Sequence, residues 1–142
     1  MTAKNTTYWI TTTFLAGDMA LSGVLYLTHV PLLMNAFVHL GYPAYFPDIL
    51  GVAKILGAIT LLVPGLPILK EWAYAGFVIT FISAFISHIV SGDGLFGTNG
   101  FGALAPLIVF AVLIASYVTR PANRRAVAEV KSELSGSPKL LS

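Results

Sequence analysis

The chain has 142 residues, of which 56% are hydrophobic and only 10% are charged, with 8 Lys and Arg against 6 Asp and Glu and a formal net charge of +2. Soluble domains carry roughly 25% charged residues, so there are too few charges to cover a water-facing surface, and lipid is the expected solvent. The absence of cysteine excludes disulfide frameworks, thiolate metal sites and cysteine nucleophiles.

Four apolar windows near the roughly 20 residues that a bilayer requires predict spans over about Tyr8 to His29, Pro47 to Val63, Ile68 to Val90 and Phe101 to Thr119. Breakers separate them: Pro31 and Gly41-Tyr42-Pro43 after the first, Pro64-Gly65-Leu66-Pro67 after the second, and Gly92-Asp93-Gly94 with Asn99-Gly100 after the third. A cleavable leader is not expected, because Asp18 interrupts the apolar stretch that would form its core. The predicted fold is an all-α integral membrane antiparallel four-helix bundle over residues 1–119, followed by a basic tail over residues 120–142.

Basic residues mark the cytoplasmic side. Lys4, Lys70 and the tail residues Arg120, Arg124, Arg125, Lys131 and Lys139 place both termini and the Pro64 to Lys70 turn there, with Trp9 and Trp72 at the same interface. The expected location is a bacterial-type inner membrane. The tail reads as a topology signal with a frayed end, and anionic lipid is its alternative partner. Nucleic acid is not expected, since no recognition motif accompanies the charges.

Ionisable residues inside a span cost several kcal/mol on insertion scales, which singles out Asp18 and Lys54. At 1.5 Å per residue they lie roughly 15 and 14 Å from the same side, so an ion pair between spans one and two, or a shared proton that leaves both neutral, is expected. Gly17, Gly23, Gly51 and Gly57 lie among the small residues around them and allow close helix approach. Asp18, Ser22, Tyr26 and His29 share one face of span one. On span three, Glu71, Tyr74 and His88 fall on one seam, while Gly76, Thr80, Ser83 and Ser87 form a small stripe that reads as helix packing. Glu71 in the first turn complements the helix dipole, or acts as an acid or base at a cytoplasmic mouth. His29, His39, His88 and Asp93 are expected on the outer side. Their spacing gives no metal signature, and hydrogen-bonded interfacial histidines or a donor to a quinone carbonyl are the preferred readings. No metal site is expected.

The run from His39 to Phe77 contains Leu40-Gly41-Tyr42-Pro43, Gly51-x-x-Lys54-x-x-Gly57, and Pro64-Gly65 leading to Lys70-Glu71-Trp72-Ala73-Tyr74-Ala75-Gly76. Together with Asp18, Ser22-Gly23 and Ser87-His88, it resembles the DoxX-like family of small bacterial four-helix membrane proteins, over about residues 6 to 118. The resemblance implies membership of a group whose name comes from a membrane subunit of a thiosulfate:quinone oxidoreductase, with distant relatives that act as membrane chaperones. It carries over no catalytic residue set.

Three functions are therefore open. The first is a membrane subunit that binds a quinone or other lipophilic ligand in a redox-linked pathway, with electrons supplied by a redox partner protein and with no intrinsic cofactor. Asp18, Ser22, Tyr26, His29, Lys54, Glu71, Tyr74 and His88 are its candidate ligand-binding residues. The second is a non-enzymatic assembly factor or interaction protein, in which the same residues clamp the bundle. The third is a small membrane enzyme performing an isomerisation or cyclisation, with Asp18, Lys54 and Glu71 as candidate acids or bases. Membrane lipid and a second copy in a homo-oligomer are further expected partners.

Overall fold

A computed structural model describes residues 2–97 and 102–136. Among them every regular element is helical: α1 (Ala3–Leu27), α2 (Pro31–His39), α3 (Phe46–Leu62), α4 (Pro67–Val90), α5 (Leu104–Thr119), a 3-10 turn (Ala122–Arg124) and α6 (Ala126–Ser135). Two helices, α1 with 25 residues and α4 with 24, are long and apolar enough to cross a membrane. The other two windows become helices of 17 and 16 residues, α3 and α5. Phe101, Asn99, Gly100 and Lys139 lie outside the described residues.

Local chemistry sets the helix starts. Thr2 caps α1 by accepting the Asn5 amide on its hydroxyl at 3.4 Å. Proline stands in the first turn of α2, α3 and α4, where its missing N–H costs nothing and its fixed φ already suits the helix. This explains the first departure from expectation. Pro31 does not merely end span one; after a left-handed His29 (φ 51°) it initiates α2 within the segment expected to be a loop. Left-handed Gly41 (φ 83°) then follows that helix.

The second departure concerns the tail, which is not simply frayed: Arg120 and Arg124 dock on the helices, and α6 follows. The third is Lys70, expected as a turn residue that marks topology. Its side chain is fully buried. Its ammonium donates to the carbonyls of Thr60 at 2.8 Å, Gly65 at 2.9 Å and Val63, closing the end of α3 where carbonyls lack helical partners.

α1 packs against α3 and α5, and α4 packs against α5 and α3. The α1–α3 contact is the closest: a Cβ on Gly23 would lie 2.8 Å from the Gly51 carbonyl oxygen, and one on Gly51 would lie 2.9 Å from that of Gly23. Glycine is therefore required at both positions. Leu15, Met19, Leu61, Tyr74, Phe77 and Leu113 fill the shared core. Ile10, Phe14, Leu56, Trp72, Ile82 and Ile86 face outward, so the outer surfaces of these helices are apolar. The small stripe on α4 is not a tight packing face. A Cβ on Gly76 would meet nothing within 4 Å, and Thr80 and Ser83 border a cavity.

Candidate functional site

The glycine contact between α1 and α3 holds the two helices together one turn before Lys54, and α2, α4 and α5 add residues around the space beside it. The result is a cavity of about 570 Å³. Its walls are mostly apolar: Met19 and Leu25 from α1, Leu33, Ala36 and Phe37 from α2, Phe46 and Leu50 from α3, Ile79 and Phe81 from α4, and Pro106 and Val109 from α5. The helix missing from the sequence reading thus closes one side of it.

The polar wall belongs to α1 and α3. Lys54 is only 6% exposed, yet its ammonium has two protein acceptors, Ser22 Oγ at 3.1 Å and Tyr26 Oη at 3.2 Å. It also lies 4.5 Å from the centre of the Tyr26 ring, a cation–π contact. Asp18 borders the same cavity, half-buried. The expected ion pair between Asp18 and Lys54 is not formed: no nitrogen–oxygen contact within 4.0 Å joins them, because the ammonium is engaged by Ser22 and Tyr26 instead. Among the described residues the Asp18 carboxylate has no hydrogen-bond partner, so its acceptor capacity is open to the cavity.

At one end of the cavity two of the three histidines, His39 and His88, meet on Asp93. Asp93 receives His88 Nδ1 on Oδ2 and His39 Nε2 on Oδ1, both at 2.7 Å. The hydrogen bonds from His88 first and His39 second hold its carboxyl below the usual carboxylate range. Beside them Tyr42 Oη and Ser87 Oγ lie 2.6 Å apart, and the Tyr42 ring stacks on Phe46 at 4.5 Å. His88 borders the cavity; His29 does not. His29 pairs instead with Asp48 at 2.7 Å, with both side chains near half exposure. The described residues hold no group of three or more His, Cys, Asp and Glu that could bind a metal ion.

Glu71 and Tyr74 also lie away from the cavity, in a separate cluster at the end that carries the basic residues. Glu71 pairs with Arg120, whose side chain is 4% exposed and which lies over the rings of Tyr117 at 4.7 Å and Tyr74 at 5.3 Å. Tyr117 donates its hydroxyl to Glu71 at 3.2 Å. Below this ion pair the Ser116 hydroxyl bonds both Tyr74 at 2.7 Å and Thr12 at 2.6 Å, all three buried. Arg124 donates to the Leu61 carbonyl at 3.1 Å and to Tyr8 Oη at 3.3 Å. Helical spacing had put Glu71, Tyr74 and His88 on one seam. However, His88 is 14 positions beyond Tyr74, about 21 Å along the helix, so the seam has two polar ends.

The structure therefore brings together Asp18, Ser22, Tyr26, Lys54 and His88 of the expected residues, and separates His29, Glu71 and Tyr74 from them. It adds Tyr42, Thr80, Ser83 and the lining of α2. The α2 residues carried a signal in the mostly apolar stretch Leu32 to Phe37, broken only by Asn35, behind a proline.

Apolar exteriors on the long helices around a cavity with one polar wall define a small membrane protein. The model of the DoxX-like family matches residues 10–116, and the chain belongs to that family. No curated protein matches the chain, and no solved structure does.

Proposed function

We propose that this protein binds a lipophilic molecule with a polar head group, of which a quinone is the leading candidate, as a membrane subunit in a redox-linked pathway. The observation that carries the reading is the coexistence, in one cavity of about 570 Å³, of apolar walls with a buried lysine and a carboxylate that has no hydrogen-bond partner among the described residues. Ligand sites have this composition: apolar surface supplies affinity, and a few polar groups fix orientation. An ammonium with two protein acceptors retains a third N–H for a ligand oxygen, and the Asp18 carboxylate accepts from a ligand hydroxyl. The reduced, hydroquinone form of a quinone both accepts and donates through its hydroxyls and fits this pair. Electrons come from a partner protein, and the chain provides binding and orientation.

In the same reading α1, α3, α4 and α5 are four antiparallel spans in an inner membrane, with the basic end cytoplasmic. Two contact sets support it. Tyr8, Leu61 and Arg124 meet at the basic end, while His29 and Asp48, and His39, His88 and Asp93, meet at the other.

The test is extraction of the detergent-purified protein followed by mass spectrometry of the lipophilic fraction. A stoichiometric molecule that Lys54→Met and Asp18→Asn both lose is the expected result. A wild type as empty as the two variants overturns the reading.

A further inference from the structure

Asp93 is shared by two histidines from different elements, His88 at the end of α4 and His39 at the end of α2. Its depressed titration keeps it ionised at neutral pH, and an ionised carboxylate only accepts hydrogen bonds. Each ring nitrogen facing it must therefore carry hydrogen. A neutral imidazole has a single N–H, so in the neutral form of His88 the hydrogen sits on Nδ1 and Nε2 keeps its lone pair. The His88 side chain is 12% exposed and borders the cavity, whereas His39 is 54% exposed. The other titratable groups around the cavity are Tyr42, next to Ser87, and Asp18, Tyr26 and Lys54 on the polar wall.

We propose that His88 is the acid–base group of the cavity, taking a proton from a hydroxyl of the bound lipophile, and that Asp93 and His39 are positioning residues that hold it ready while α2 is seated. The step breaks the ligand O–H bond and forms an N–H bond at Nε2. It leaves an imidazolium beside the Asp93 carboxylate and an oxyanion on the ligand, with no change of oxidation state. The same carboxylate links this readiness to the cover of the cavity. α2 brings Leu33, Ala36 and Phe37 to the cavity, is flanked by left-handed His29 and Gly41, and ends on His39. Displacing α2 removes one of the two hydrogen bonds that orient Asp93. This proposal rests on the ligand-binding reading above.

The test is ¹⁵N NMR of histidine-labelled full-length protein, in which three histidines can be assigned by single His→Gln variants. The wild type alone decides the tautomer: His88 is expected as Nδ1–H with an unprotonated Nε2, and an Nε2–H form overturns the proposal. Asp93→Asn should move the tautomer ratio toward Nε2–H by about tenfold, the scale of one charge-assisted hydrogen bond, and Asp93→Glu should restore it. The ligand probe is 4-nonylphenol, an apolar chain with one acidic hydroxyl, with its binding measured separately by equilibrium dialysis. Bound phenol should shift Nε2 of His88 and leave His29 unmoved. Phenol that binds without moving that signal overturns the role of His88 and leaves the cavity reading intact. Phenol that does not bind counts against both.

Discussion

The two polar regions of this protein use similar residues to opposite ends. At the basic end, Thr12, Ser116 and Tyr74 form a buried chain of hydroxyls, Glu71 meets Arg120 and Tyr117, and Lys70 is committed to three carbonyls. At the cavity, the Lys54 ammonium donates to two acceptors and the Asp18 carboxylate receives no donor among the described residues. A buried polar group costs free energy unless it is hydrogen-bonded, so a nearly closed network acts as a fastener. An open one retains capacity for something else. Even the partial exception fits this contrast: two buried nitrogens of Arg120, Nε and Nη1, have no hydrogen-bond partner among the described residues, but the guanidinium lies over two tyrosine rings.

If the contrast is right, substitutions at the two regions have different readouts. The largest loss of stability is expected from Lys70→Met, which removes all three donors to the end of α3 and costs about 3 kcal/mol. It should appear as a lowered midpoint in thermal or denaturant unfolding in detergent. Ser116→Ala comes next at about 2 kcal/mol, because Thr12 and Tyr74 lose their shared partner in a buried site. Lys54→Met should cost less than about 1 kcal/mol, since an apolar side chain of similar length needs no desolvation. A stability loss at Lys54→Met equal to that at Lys70→Met would erase the distinction between fastener and site.

The smallest effect concerns pH. The Asp93 carboxyl is depressed by its histidines, so it binds fewer protons in the folded state than in the unfolded one. Its contribution to stability is complete above the ordinary aspartate pKa of about 3.9 and is lost as pH falls through the lower folded value. A melting series into the acid range should show this decline in the wild type and a flatter limb in Asp93→Asn. Identical acid limbs would separate the triad from the stability of the histidine end.

Several of these features were legible in the sequence. Asp18 and Lys54 stand out because charge within an apolar helix is costly wherever the helix packs, and the glycines around Lys54 signal close approach whatever their partner. Lys70 was misread for a related reason. A lysine in a Pro-Gly turn looks like a solvated topology marker, and its burial depends on where the turn folds back over the end of α3. Similarly, Pro31 is a breaker in one dimension and an initiator in another, and only its position as the first helical residue distinguishes them.

The sequence by itself determined the solvent, the family and the helical framework, because these follow from composition, from motifs and from apolar windows along one chain. It also singled out the polar and charged residues within the helices. Tertiary structure alone decided their grouping: Glu71, Tyr74 and His88 share one seam of one helix, yet the first two close a fastener while His88 borders the cavity. Side-chain periodicity specifies the face on which a residue lies. Its partners depend on which helices, turns and tail segments reach that face at each depth, and those contacts join residues up to 116 positions apart, as in Tyr8 and Arg124.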